Sequence, residues 1–95
     1  MTEPRPELTL FVSGASDLSA RAIADATDLC DVRLSGRYRL SVVDVHGDPE
    51  ATLASGVQAA PTLVRHSPLP MRRFVGDLSD ADAVVLRLGL TDVGT

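Results

Sequence analysis

The sequence predicts a single α/β domain, a mixed four-stranded sheet carrying three helices in the order β-α-β-α-β-β-α. Three observations predict it. Short apolar runs of strand length are bounded by turn residues. Between the first two lies a stretch whose apolar residues recur every three or four positions, the period of a helix face. The last two runs are joined by a proline-rich turn alone, which favours an antiparallel pair, whereas the helix between the first two favours a parallel pair with a right-handed crossover.

Taken in order, residues 1–7 read as a flexible lead-in, 8–90 as the domain and 91–95 as a frayed tail. Leu8-Thr9-Leu10-Phe11-Val12 is a buried strand ending at Ser13-Gly14. Ser16 or Asp17 caps the first helix, whose apolar face is Leu18, Ala22, Ile23, Ala26, Leu29 and Cys30; the pattern fades near Arg33, and Gly36 marks the turn. Tyr38 to Val45 is the second strand. Asp48-Pro49-Glu50 starts a short helix, because the Asp side chain accepts a free first-turn amide and the φ of proline is already helical. Gly56 suits its end. Thr62 to Arg65 is the third strand, Ser67-Pro68-Leu69-Pro70 the turn, and Met71 to Val75 the fourth strand. Ser79 is expected to cap the last helix, with Ala81, Val84, Val85 and Leu88 facing inward. Aromatic residues are confined to Phe11, Tyr38 and Phe74, so the core is mainly aliphatic; Leu10, Val12, Ile23, Leu29, Val42, Leu63, Phe74, Val85 and Leu88 are its expected members. This order of elements is the thioredoxin-like pattern.

Composition narrows the function. The net charge is −4 and every basic residue is Arg. A mildly acidic domain is a poor ligand for nucleic acid, whose affinity comes largely from phosphate neutralisation. No apolar stretch approaches the roughly 20 residues of a membrane span, and the N-terminus lacks the basic-then-apolar pattern of a signal peptide, so a cytoplasmic protein is expected. One cysteine, Cys30, rules out an intramolecular disulfide.

The candidate sites follow from local chemistry. Redox proteins of thioredoxin-like fold carry Cys-x-x-Cys after the first strand; here the loop is Gly14-Ala15-Ser16-Asp17, without sulfur, and exchange needs a thiolate. Cys30 reads as a packing residue, with a reactive thiol as the alternative. Pro61 stands where this fold holds a cis proline. His46 and His66 read as exposed loop residues that lack a third metal ligand. A Ser13–His66–Asp44 set can be drawn on paper, but its spacing supports no triad. Arg72 and Arg73 point to opposite sheet faces, one of them available to Asp77. Arg21 can pair along its own helix with Asp17 or Asp25. No residue is expected to be catalytic, and none to hold a cofactor or metal.

Several segments, in order, resemble the KaiB family of clock proteins. Leu8 to Gly14 is similar to that family's LxLYVAG, Ser19 to Ile23 to its SVRAL, and Gly36-Arg37-Tyr38 to its GxY. Val42 to Val45 resembles VIDV, Ala59 to Leu63 ATPTL, Pro68 to Arg73 PPPVRK, and Gly76 to Asp80 reproduces GDLSD. The resemblance implies a non-catalytic adaptor that docks on a KaiC-like ring ATPase through the second-strand edge and first helix. The partner-binding residues would be Arg21, Leu40, Val42, Asp44, Arg72 and Arg73. It also implies dimers or tetramers, and a second half that switches between the thioredoxin-like arrangement and a rearranged resting fold, with Pro61, Pro68, Pro70, Gly76 and Asp77 in the switching part. Positions where cyanobacterial members carry Lys hold Ser41 and Gly56, which weakens any interface built on those lysines. A stand-alone sensor domain of a histidine-kinase pathway, or a thiol-dependent redox enzyme, are the alternatives.

Overall fold

Seven elements make up the computed structural model, which describes residues 5–90: β1 (Glu7–Val12), α1 (Asp17–Arg33), β2 (Arg39–Asp44), α2 (Pro49–Ala54), β3 (Thr62–Ser67), β4 (Arg72–Val75) and α3 (Ala81–Leu88). The strands lie in the order β2-β1-β3-β4. β2 runs parallel to β1, while β3 is antiparallel to both β1 and β4. The expected tail at 91–95 and the first four residues of the lead-in lie outside the described residues. The lead-in is shorter than expected: Glu7 already pairs in β1, and the Pro6 carbonyl accepts the Arg39 amide.

β1 and β3 are central and covered on both faces, which is why their sequences are nearly continuous apolar runs. One face carries the larger core, where Leu8, Leu10, Val12 and Leu63 meet Ala22, Ala26, Leu29 and Cys30 of α1 and Val84 and Leu88 of α3. The other face carries Phe11 and Val64 with Val57, and Ala51 of α2 packs against them. Leu34, Val57, Leu78 and Leu90 are buried core residues that the sequence periodicity did not single out, since all four stand outside the regular elements.

Three expectations about burial are corrected. Leu18 is 61% exposed and Ile23 36%, because the face of α1 turned to the sheet runs through Ser19, Ala22, Ala26, Leu29 and Cys30. Val42 is 46% exposed instead of core; β2 is an edge strand, and only Leu40 and Val43 of its apolar residues reach the two cores. Phe74 and Val85 are half-buried, packed against the core rather than within it.

Caps explain the helix ends. Ser16 Oγ accepts the Ser19 amide at 3.1 Å, and the Asp48 carboxylate accepts the Ala51 amide at 3.1 Å. The cap of α3 is Asp80, not Ser79: Asp80 Oδ1 accepts the Ala83 amide, while the Ser79 amide donates to Asp77 Oδ1 in the turn before the helix. α2 ends at a glycine that the fold requires. Gly56 has φ +68°, and a Cβ there would lie 2.6 Å from the Arg73 guanidinium. His66 also departs from expectation. β3 extends to Ser67, so His66 is a half-buried strand residue whose Nε2 lies 3.0 Å from Thr9 Oγ1.

Candidate functional site

Four of the residues singled out in sequence gather in one groove. The first turns of α1 supply Leu18, Arg21, Ala22 and Asp25; the chain before β3 supplies Pro61; the loop after β4 supplies Gly76, Asp77 and Leu78. They line a cleft of about 240 Å³. The Ala60–Pro61 peptide is cis, as are those before Pro68 and Pro70. Gly76 has φ +127°, a conformation that side-chain-bearing residues rarely adopt, although a Cβ there would meet nothing within 4 Å. Asp77 then folds back on the Ser79 amide at 2.9 Å. That bond, with help from the Ser79 side chain and the nearby Arg21 charge, holds the Asp77 carboxyl below the usual carboxylate range. Arg21 and Asp77 line the same groove from α1 and from the loop after β4. Leu18, Asp25 and Leu78 are groove residues that sequence reading missed. Leu18 fits the helical period, and only the rotation of α1 on the sheet turns it outward.

The outer edge of β2 is a second open surface. Leu40 is half-buried, while Val42 and Asp44 are exposed. Asp44 is committed to local structure: its Oδ1 accepts the His46 amide at 2.9 Å and the Gly14 amide at 3.3 Å, which pins the loop after β1 to the turn after β2. These two bonds, the His46 one foremost, lower its pKa. Ser13 Oγ lies 2.9 Å from His46 Nε2. Ser13, His66 and Asp44 form no triad: Ser13 meets His46, His66 is engaged with Thr9, and Asp44 bonds the His46 backbone rather than its ring. Arg72 and Arg73 are on β4, at the opposite edge of the sheet from β2. Arg73 does not pair with Asp77; its Nε donates to the Ser55 carbonyl.

Cys30 is fully buried on the inner face of α1. Burial first, and the charge of Asp31 second, push its pKa from 9.0 up to about 11. A thiol with a raised folded pKa stabilises the fold below the unfolded value and loses that contribution as pH rises. Stability should therefore decline between pH 9.0 and about 11. Ellman's reagent at about pH 8 should modify Cys30 only as fast as the chain opens, because the reactive species is an exposed thiolate. A rapid stoichiometric reaction of the folded chain would show that the thiol is accessible. Among the described residues, no three or more His, Cys, Asp and Glu side chains are placed to hold a metal ion, and no helix is long and apolar enough to cross a membrane.

The KaiB domain family matches residues 9–90, which include four of the six residues of β1 and every later element. This chain belongs to the KaiB family. It is similar to the circadian clock oscillator protein KaiB of Synechococcus elongatus, 39% identical over 83 residues that span 87% of this chain and 81% of that one. The KaiB of Prochlorococcus marinus is also 39% identical over 83 residues, covering 87% and 70%. In three dimensions it resembles the N-terminal domain of Synechococcus elongatus SasA, with a TM-score of 0.74 at 23% identity over 97% of this chain and 90% of that one. Mitochondrial thioredoxin 3 of Saccharomyces cerevisiae aligns with a TM-score of 0.70 at 16% identity, over 92% and 79%. At those identities the likeness shows the thioredoxin-like fold, which this KaiB-family chain adopts with both the groove and the β2 edge inside the matched region.

Proposed function

We propose that this chain is a non-catalytic, cytoplasmic adaptor that docks on a KaiC-like ring ATPase through the β2 edge and the first helix, α1. The observation that carries the reading is the open edge itself. β2 is hydrogen-bonded on one side only, and it exposes Val42 in a chain whose relatives are circadian clock proteins. An unpaired edge with an apolar side chain suits main-chain pairing plus a side-chain contact. Arg21 and the exposed Leu18 supply charge and apolar area on α1, in the groove with Pro61 and Asp77. Leu40 and Asp44 act less directly, Leu40 by fixing the strand on the core and Asp44 by fixing the turn that ends it.

The same reading includes a switch in the second half. Gly76 and Asp77 form the turn that launches α3, and their geometry exists only where α3 does. Gly76→Ala strains a φ of +127°, and Asp77→Arg removes the acceptor for Ser79. Both substitutions shift the balance between two packings, and partner affinity follows the competent fraction. The test is affinity for the purified KaiC-like ATPase of the source organism, with amide NMR of the free chain alongside. Val42→Asp and Arg21→Glu should each weaken binding by about tenfold or more, the scale of a lost charge-assisted or buried contact. Gly76→Ala and Asp77→Arg should change the intensity of a second peak set for residues 47–90 while 8–45 stay in place. No measurable binding, or affinity untouched by both interface substitutions, overturns the docking. A single peak set in the parent and both turn variants overturns the switch.

A further inference from the structure

The other edge of the sheet carries chemistry of a different kind. β4 pairs with β3 on one side, matching Arg72 to Arg65 and Phe74 to Leu63, and its other side is open. Side chains alternate along it: Phe74, and Arg72 with it, are on the face of the α1–α3 core, whereas Arg73 is on the α2 face with its Nε on the Ser55 carbonyl. Together with Arg87 from the last turn of α3 they line an open cleft of about 670 Å³. Three of the nine arginines in a chain of net charge −4 therefore stand in one cleft, and no carboxylate lines it.

A further guanidinium stands behind Arg72. Arg65 is only 5% exposed, and its Nη1 and Nη2 donate to the carbonyls of Leu88, Gly89 and Pro70 while its Nε has no partner. Arg65 and Arg72 both flank Gly89: a Cβ at that glycine would lie 2.9 Å from one Nη1 and 3.9 Å from the other. Like charges opposite each other across a strand pair repel, and here no acidic side chain among the described residues relieves them.

We propose that the β4 edge receives an extended acidic segment of a partner protein as an added strand, with its alternate carboxylates on Arg72 and Arg87. The unpaired backbone of β4 selects a peptide over a polyphosphate, since only a peptide strand continues the hydrogen-bond ladder. The arginines exclude a second copy of the same edge, which would set Arg72 and Arg73 against their equivalents. Exposed Val75 in the lining of the cleft favours apolar residues between the acids. This surface is on the opposite edge from β2 and does not depend on the ring-ATPase reading.

The test uses a fluorescent acetylated Glu-Val-Glu-Val-Glu-Val amide, titrated with the full chain by anisotropy at low and moderate salt. Saturable binding is expected, weakened by salt and lowered about tenfold or more when Gln replaces Glu or when the chain carries Arg72→Gln with Arg87→Gln. Both arginines are exposed, so the variant should keep its circular dichroism. Backbone N-methylation of the peptide should abolish binding, and amide shifts should centre on residues 72–75. Four outcomes overturn the proposal: no saturation, equal affinity for the N-methylated peptide, equal affinity for oligothymidylate, or shifts centred on residues 39–44.

Discussion

Replacing Leu88 by Ala should cost about 2–5 kcal/mol of folding stability, read as a lower urea midpoint at unchanged slope. Leu88 is fully buried in the last turn of α3, in the core that also holds Leu10, Leu63, Cys30 and Val84. Truncation removes the transfer free energy of the side chain and leaves a cavity that β1 and β3, held by hydrogen bonds on both sides, are poorly placed to fill. A domain of this length has a total stability of roughly 5–14 kcal/mol, so this one change removes a large fraction of it. A loss below about 1 kcal/mol would mean that α3 contributes little to the core.

Arg65→Ala should be of comparable severity, about 2–5 kcal/mol, for a different reason. Its guanidinium is the donor for the carbonyls of Leu88 and Pro70, at 2.6 Å each, and for Gly89 at 3.3 Å. It thereby ties the C-terminal end of α3 to the turn between β3 and β4. Carbonyls at a helix C-terminus carry partial negative charge, so a cation there is favourable and its removal leaves them unsatisfied. Arg65→Met separates the two effects. It keeps volume and removes the buried charge, so it should cost less than Arg65→Ala while still exposing the α3 end to hydrogen exchange. A parent-like midpoint for Arg65→Ala would show that the three carbonyls find other donors.

Arg65 also marks where sequence reading stops. In the sequence it closes the apolar run Thr62-Leu63-Val64, and nothing local says that a charged residue at the end of a strand is 95% buried, the complement of its 5% exposure. Two of the three acceptors that make burial tolerable, Leu88 and Gly89, lie more than twenty positions away along the chain. The same limit applies to the groove. Arg21, Pro61, Gly76 and Asp77 each carried a local signal, but their convergence depends on how α1 lies on the sheet. Arg72 and Arg73 were grouped with β2 as one interface; the strand order puts them at the far edge.

The sequence by itself determined the number, type and order of the elements, the cap at Asp48, the parallel β1–β2 pairing and the antiparallel β3–β4 pairing. Each of those rests on short-range physics: period, φ preference, amide capping and the length of a connection. Only the tertiary structure decided which apolar residues are turned outward, that Ser16 rather than Asp17 caps α1, that Asp80 replaces the expected Ser79 as the cap of α3, and which histidine meets Ser13. Those outcomes depend on helix rotation and strand order, set by packing between segments far apart in the chain, where several arrangements satisfy the same local pattern and the best-filled core selects one.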